Sequence, residues 1–185
     1  NATTALLSTN HPYATEQMWE GRSRYDIYTV NLQTGERRQI KKASNSNMQL
    51  SPKGTYAYWY CVQDSSWYTY SLTNGKEYRL TTPTTFAAWD EDNDVPDYPS
   101  PHGLAGWTAD DRNLLIYDRY DIWKFDPTAE VAPVNLTVNG RKEQLSYRLI
   151  RLDKEEKFID ITKSQLLQVF NEKTKGSGYY SAHLS

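Results

Sequence analysis

Gly106–Asp126 reads GWTADDRNLLIYDRYDIWKFD, and this stretch decides the fold. Thr108–Asp111 is small and polar, a turn composition. Leu114-Leu115-Ile116-Tyr117 is a short apolar and aromatic run, as a buried strand requires. Asp118-Arg119 punctuates the chain. Tyr120, Ile122, Lys124 and Asp126 then alternate with Asp121, Trp123 and Phe125, the period of a strand with one wetter face. The expectation is a turn, a strand, a second turn and a second strand.

The unit recurs. Leu50–Tyr60 (LSPKGTYAYWY) lies over Trp107–Tyr117 with a shift of 57 (107 − 50), so that Ser51 matches Thr108 and Lys53-Gly54 matches Asp110-Asp111. Tyr25-Asp26-Ile27-Tyr28 lies over Tyr120-Asp121-Ile122-Trp123 with a shift of 95 (120 − 25). Tyr28–Ile40 (YTVNLQTGERRQI) lies over Tyr68–Leu80 (YTYSLTNGKEYRL) with a shift of 40 (68 − 28), and Gly35 falls on Gly75. A period of about 40–45 residues with four strands per unit marks the blades of a β-propeller. One blade cannot bury both of its faces alone, so it stacks on neighbours.

The 185 residues hold about four blades, the low end for a closed ring. The expected fold is therefore all-β: antiparallel blades in an incomplete arc of three to four, forming one segment over residues 1–185. The ends are apolar where a capping blade should be polar: Ala5-Leu6-Leu7, Leu166-Leu167-Val169-Phe170 and Tyr179-Tyr180. Self-association through open blades is expected.

The composition narrows the function. Tyr and Trp number 15 and 6, and most are expected to pack between blades; a few could instead line a carbohydrate or peptide platform. The net charge is −2, with no basic stripe interleaved with aromatics, so nucleic-acid binding has little support. No run approaches 18 apolar residues, which excludes a helical membrane span. NATTALLSTN at the N-terminus lacks the basic and apolar regions of a signal peptide. Arg37-Arg38, Lys41-Lys42 and Arg141-Lys142 read as solvated pairs that guard turns and strand edges. Cys61 ends a strand, where a small buried hydrophobe is expected.

Further along, Pro12–Gly21 reads as an outer strand and turn, and Asn139-Gly140 as a tight turn. Leu145–Leu152, Phe158–Ile161, Gln165–Phe170 and Gly178–Leu184 read as strands. Between the second and third repeats the spacing widens by about 15 residues. This Pro-rich insertion, at about 86–103, carries five acids: Asp90, Glu91, Asp92, Asp94 and Asp97. Asp90-x-Asp92-x-Asp94 resembles the start of a calcium loop, and these three are the weak metal candidates. Val95 and Pro101 stand where that loop needs its Gly and its bidentate Glu. A solvated loop, or one that pairs with basic residues of a partner, is the leading expectation.

Catalytic motifs are missing. Gly176-Ser177-Gly178 is too short for a nucleophile elbow, and Gly21–Tyr25 ends in Tyr rather than Gly. His11, His102 and His183 are scattered, without metal-ligand spacing. No phosphate cradle or cofactor motif is present. Asn1-Ala2-Thr3 and Asn135-Leu136-Thr137 are formal glycosylation acceptors.

LSPKGTYAYWY, WYTYSLTNGKEYRLT, AWDEDNDVPDYPSPHGLAGWTADDRNLLIYDRYDIWKFD and NLTVNGRKEQLSYRLIRLDKEE together resemble the N-terminal propeller of prolyl-oligopeptidase-family serine peptidases. The similarity is to the bacterial dipeptidyl or acylaminoacyl peptidase branch, and it covers about residues 49–152. The resemblance implies a propeller that caps a separate α/β-hydrolase domain and admits short peptides. It also suggests a periplasmic or otherwise extracytoplasmic location. The family's Ser, Asp and His lie in the hydrolase domain and map onto nothing here, so the chain alone is expected to be non-catalytic. Some relatives place paired glutamates near the substrate amine; Glu155-Glu156 is adjacent in sequence but reads as an exposed turn. Two other readings stay open: a free-standing scaffold that binds a protein, and an aromatic-lined carbohydrate binder.

Overall fold

The structure, a computed structural model, describes residues 3–84 and 86–184. Among these residues, fourteen strands form four antiparallel sheets met in chain order. The first sheet holds β1 (Thr4–Thr9), β2 (Tyr25–Asn31) and β3 (Arg37–Ser44), in the order β1-β2-β3. The second holds β4 (Gln49–Leu50), β5 (Tyr56–Cys61), β6 (Ser66–Ser71) and β7 (Glu77–Arg79), in the order β4-β5-β6-β7. The third is β8 (Leu104–Trp107), β9 (Leu114–Tyr117), β10 (Ile122–Phe125) and β11 (Val134–Asn135), in the order β8-β9-β10-β11. The fourth is β12 (Leu145–Leu149), β13 (Ser164–Asn171) and β14 (Ser177–His183), in the order β12-β13-β14.

The repeat seen in the sequence is a repeat of hydrogen bonds. The Gly35 N–H reaches the Asn31 carbonyl at 2.8 Å, and the Gly75 N–H reaches the Ser71 carbonyl at 2.9 Å. Both glycines have positive φ, 74° and 71°, which only glycine adopts without strain. At Gly75 a Cβ would also lie 2.6 Å from the Arg38 guanidinium. The turns after β2, β10 and β13 are led by Asn31, Asp126 and Asn171, whose side-chain oxygens accept backbone N–H groups two and three or more residues on.

Each neighbouring pair of sheets shares one apolar core. Ala57, Trp59 and Tyr70 pack with Leu6 and Ile40, joining the first sheet to the second. Tyr60 and Trp67 pack with Trp107, Leu114, Ile116 and Phe125, joining the second to the third. Leu115, Tyr117 and Ile122 pack with Leu167 and Val169, joining the third to the fourth. β9 therefore sends Leu114 and Ile116 to one side and Leu115 to the other. It is buried on both faces, which explains its unbroken apolar run. No core among the described residues joins the first sheet to the fourth, so the four blades form an open arc.

The aromatics line these joints. Trp107 stacks on Tyr56 (5.8 Å, 11°) and meets Tyr58 edge-on at 5.4 Å; Phe86 meets Trp123 and Phe125 edge-on.

Three expectations are corrected. Pro12–Gly21 is helical: a short 3-10 turn at His11–Tyr13 leads into α1 (Ala14–Glu20). Pro opens it, and Gly21 closes it at φ 65°, with its N–H on the Gln17 carbonyl at 3.1 Å. Asn139-Gly140 enters a single helical turn, α2 (Gly140–Glu143), because a buried carboxylate holds its N–H groups, as described below. Phe158–Ile161 is no strand. Ile159 makes one bridge to Thr108 and plugs the core between the third and fourth sheets. The acceptor triplet at Asn1 begins outside the described residues.

Candidate interaction site at the junction of the third and fourth sheets

The insertion is a neck with an acidic tip. Phe86 and Ala88 are buried in the core between the second and third sheets and anchor it. A bridge between Trp89 and Pro101 closes the neck, with Asp90 N–H on the Ser100 carbonyl (2.8 Å) and His102 N–H on the Ala88 carbonyl (2.9 Å). The closed neck delivers the tip to the turn between β9 and β10.

That turn is built by two buried carboxylates. Asp118 accepts the N–H groups of Tyr120 (2.8 Å) and Asp121 (2.5 Å) and the indole N–H of Trp123 (3.2 Å). Asp121, 1% exposed, accepts the Thr137 hydroxyl (2.6 Å) and the N–H groups of Gly140 (3.0 Å) and Arg141 (3.2 Å). Asp118 thus fixes the turn that carries Arg119 and Tyr120, and Asp121 fixes the helical turn that carries Arg141. A buried carboxylate is tolerable only when its lone pairs are satisfied this fully.

The two arginines grip the acidic tip. Arg119 makes a two-pronged pair with Glu172 (Nε–Oε1 3.1 Å, Nη2–Oε2 3.0 Å) and reaches Asp92 through Nη1 at 2.7 Å. Arg141 makes a two-pronged pair with Glu91 at 3.2 and 3.0 Å and lies 3.6 Å from Asp118. Both guanidiniums sit over the Tyr120 ring, at 5.3 and 5.2 Å from its centre, and the Tyr120 hydroxyl donates to Glu172 at 3.0 Å. Further along the tip, Arg22 holds Asp97 at 2.8 Å and covers Tyr98.

The fields follow this geometry. Hydrogen bonds from Arg119, and then from Tyr120, hold the Glu172 carboxyl below its usual range against partial burial. Hydrogen bonds to Glu172 and Asp92 raise Arg119, and the hydrogen bond to Glu91 raises Arg141. Burial, and then the Glu172 hydrogen bond, raises Tyr120. His102 is held below its ordinary value by burial first and by the Arg148 charge second, so it is neutral near pH 7. Its Nε2 is buried with no hydrogen-bond partner among the described residues, so no nucleophile–base pair forms through that atom. Cys61 meets Gln63, and its thiol is raised by burial, the reverse of an activated thiolate. The cluster therefore holds neighbouring segments in fixed positions, and it offers no activated nucleophile.

The sequence offers a solvated acidic loop or one that pairs with a partner's basic residues. All five acids are exposed, and Glu91, Asp92 and Asp97 pair with arginines of the same chain. Asp92 is committed to Arg119, and Asp90 accepts the Asp92 N–H at 3.1 Å. Among the described residues no group of three or more His, Cys, Asp or Glu side chains is placed to hold a metal ion. Arg141 and Lys41 are not simply solvated, since Lys41 pairs with Glu77 at 2.6 Å and covers Trp59 at 5.0 Å. Sequence reasoning missed Arg119 and Glu172, which stand 53 residues apart and meet only through the pairing of β12 with β13. Glu155 and Glu156 lie in an exposed connector. Among the described residues no helix is long and apolar enough to cross a membrane.

No family model matches the chain, and no curated protein matches it. Solved structures do. TolB from Acinetobacter baumannii is 14% identical, with a TM-score of 0.40, over 99% of this chain and 41% of its own. A candidate TolB from Agrobacterium tumefaciens is 15% identical, with a TM-score of 0.43, over 98% of this chain and 62% of its own. A candidate dipeptidyl aminopeptidase IV from Bacteroides ovatus is 12% identical, with a TM-score of 0.50, over 88% of this chain and 25% of its own. The chain spans less than two thirds of each of these proteins. The last likeness is one of fold, and it agrees with the four stacked sheets: this chain is a propeller-type domain.

Proposed function

We propose that the chain is a non-catalytic propeller segment of a serine peptidase of the prolyl oligopeptidase family, and that it gates access of short peptides to a separate α/β-hydrolase domain. The observation that carries the reading is the continuous stretch 86–126. Its acidic loop, GWTADD turn and YDRYDIW turn are the most specific part of the resemblance. The acidic loop is clamped to Arg119 of the YDRYDIW turn, while Asp111 of the GWTADD turn ties the second sheet to the third. A clamp that fixes a long loop by three carboxylate–guanidinium pairs suits a rim that must keep its shape beside a partner domain. The partners in this reading are the hydrolase domain and the peptide substrate.

The test is to read the gene beyond Ser185. A downstream G-x-S-x-G followed by Asp and His supports the reading, and a stop codon soon after Ser185 in the natural gene overturns it. The purified chain should give only background rates with aminoacyl or prolyl chromogenic substrates. Turnover that one substitution in this chain abolishes would refute the non-catalytic role.

A further inference from the structure

His102 stands at the foot of the neck that carries the acidic tip. Its N–H donates to the Ala88 carbonyl at 2.9 Å, directly after the bridge between Trp89 and Pro101. The next residue, Gly103, turns the chain toward β8 at φ 98°, and its carbonyl accepts the Tyr117 N–H at 3.1 Å, which ties the neck to the end of β9. The charged groups that face the His102 ring come from three parts of the chain. They are Arg148 on β12, Asp118 in the turn between β9 and β10, and Asp90 and Glu91 at the tip.

Each of these groups is already engaged. Arg148 donates to the carbonyls of Tyr147 (2.7 Å), Asp118 (3.2 Å) and Arg119 (3.1 Å), and its guanidinium lies over the Tyr117 ring at 4.6 Å. Asp90 accepts the Asp92 N–H, Glu91 is paired with Arg141, and Asp118 holds its own turn and the Trp123 indole. Nε2 of His102 is buried with no hydrogen-bond partner among the described residues. A neutral imidazole tolerates this as a bare acceptor. An imidazolium does not, because its second N–H would be buried beside an arginine with nothing to receive it. To gain an acceptor, either the ring must leave its place or one of the three acids must turn to it. Each movement breaks a contact that closes or clamps the neck.

We propose that His102 is an acid-operated latch: with its ring neutral the neck is shut, and uptake of a proton from solvent at Nε2 opens the neck and frees the acidic tip. This inference does not depend on the peptidase reading. Burial and the Arg148 charge hold the ring below its ordinary 6.5 while the neck is shut. The latch is therefore complete above 6.5 and weakens as the pH falls toward the lower folded value. Within that interval each unit of pH should raise the opening equilibrium up to about tenfold. The Glu172 pair weakens only below 4.5, so the two effects separate along the pH axis.

The test uses the whole chain, isotope-labelled, with amide hydrogen exchange corrected for intrinsic rates at about pH 7 and about pH 5. The amides of Asp90 and His102, which bond across the neck, should lose protection about tenfold at the lower pH, while Ile116 in the middle of the third sheet keeps its own. His102→Phe keeps a flat ring and loses no bond at Nε2, so its neck amides should be equally protected at both pH values. Glu172→Gln should retain the step. The parent alone keeps the test decisive if His102→Phe does not fold, since the loss of protection must level off at the pH where the His102 ring titrates. Equal protection of Asp90 and His102 at the two pH values, a step that survives in His102→Phe, or an equal loss at Ile116 overturns the proposal.

Discussion

Buried carboxylates, each with its donors supplied by a turn, are what make individual residues decisive here. Asp111 is 1% exposed and sits at φ 54°, at the turn that leads into β9. It accepts the Ser51 hydroxyl at 2.5 Å and the N–H groups of Lys53 and Thr55 at 3.2 Å, all from the turn that leads into β5. One side chain thus ties the second blade to the third. Asp111→Ala leaves three donors without an acceptor and should cost about 3 kcal/mol in urea unfolding, with Asp111→Asn losing less. Glu172 gives a pH dependence. Its carboxyl in the folded state lies below its ordinary 4.5, so its stabilising effect is complete above that value and is lost as the pH falls through the lower folded value. Glu172→Gln should therefore flatten the acid limb of stability against pH, measured by chemical denaturation from pH 3 to 6. An unchanged acid limb would mean that the Arg119–Glu172 pair carries no linkage.

The elements divide into those that local pattern specifies and those that a distant partner specifies. β5, β6, β9 and β10 were legible because their signals are local: Gly54 precedes β5, Gly75 follows β6, β9 is an unbroken apolar run and β10 alternates. α1 was misread because an exposed one-sided helix of seven residues offers no apolar period to detect. α2 was misread because Asn-Gly signals a hairpin, and nothing local reveals that Asp121, 19 residues earlier, accepts the Gly140 N–H. The acidic loop was legible as an insertion and opaque as a clamp, since its arginines lie at 22, 119 and 141 and Glu172 follows β13. Gly140 is the tightest point of this arrangement, for a Cβ there would meet Asp121 Oδ1 at 2.5 Å and the Leu145 carbonyl at 2.8 Å. Gly140→Ala should lower stability by about 1–3 kcal/mol and loosen Arg141, read as a lower melting temperature with faster proteolysis of the acidic loop. Asp97→Ala should change little, because the Arg22–Asp97 pair is half in water and such pairs contribute about 0–1 kcal/mol. Arg119→Ala removes contacts to Glu172, Asp92 and the Tyr120 face together, so it should expose the loop to protease more than Asp97→Ala does.

At the scale of the molecule, three apolar joints hold four blades, and among the described residues two sheet faces have no neighbour. The ends are apolar as expected, though through only some of the residues singled out. Leu6 turns toward the second sheet, and Leu167 and Val169, 1% and 3% exposed, turn toward the third. The outward row of the first sheet is Ala5, Leu7, Tyr28 and Val30, set side by side by the pairs Ala5–Val30 and Leu7–Tyr28. The outward row of the fourth is Leu166 and Phe170 on β13 with Tyr179 on β14, whose rings are 37% and 70% exposed. The two rows differ, so self-association of the isolated chain through them would join the last blade of one copy to the first blade of the next. A head-to-tail contact of this kind closes into a ring or runs on as a filament. Two copies of the isolated 185-residue chain joined this way would present eight blades, within the range at which propellers close, so a dimer of this chain by itself is the expected end point. Sedimentation velocity over a hundredfold range of concentration should show a monomer giving way to a dimer. Leu7→Ser and Tyr179→Ser, one on each row, should each shift that equilibrium toward the monomer without lowering the melting temperature of the dilute protein. A strictly monomeric parent at high concentration would mean that the first and fourth sheets cover each other and that the arc is closed in solution.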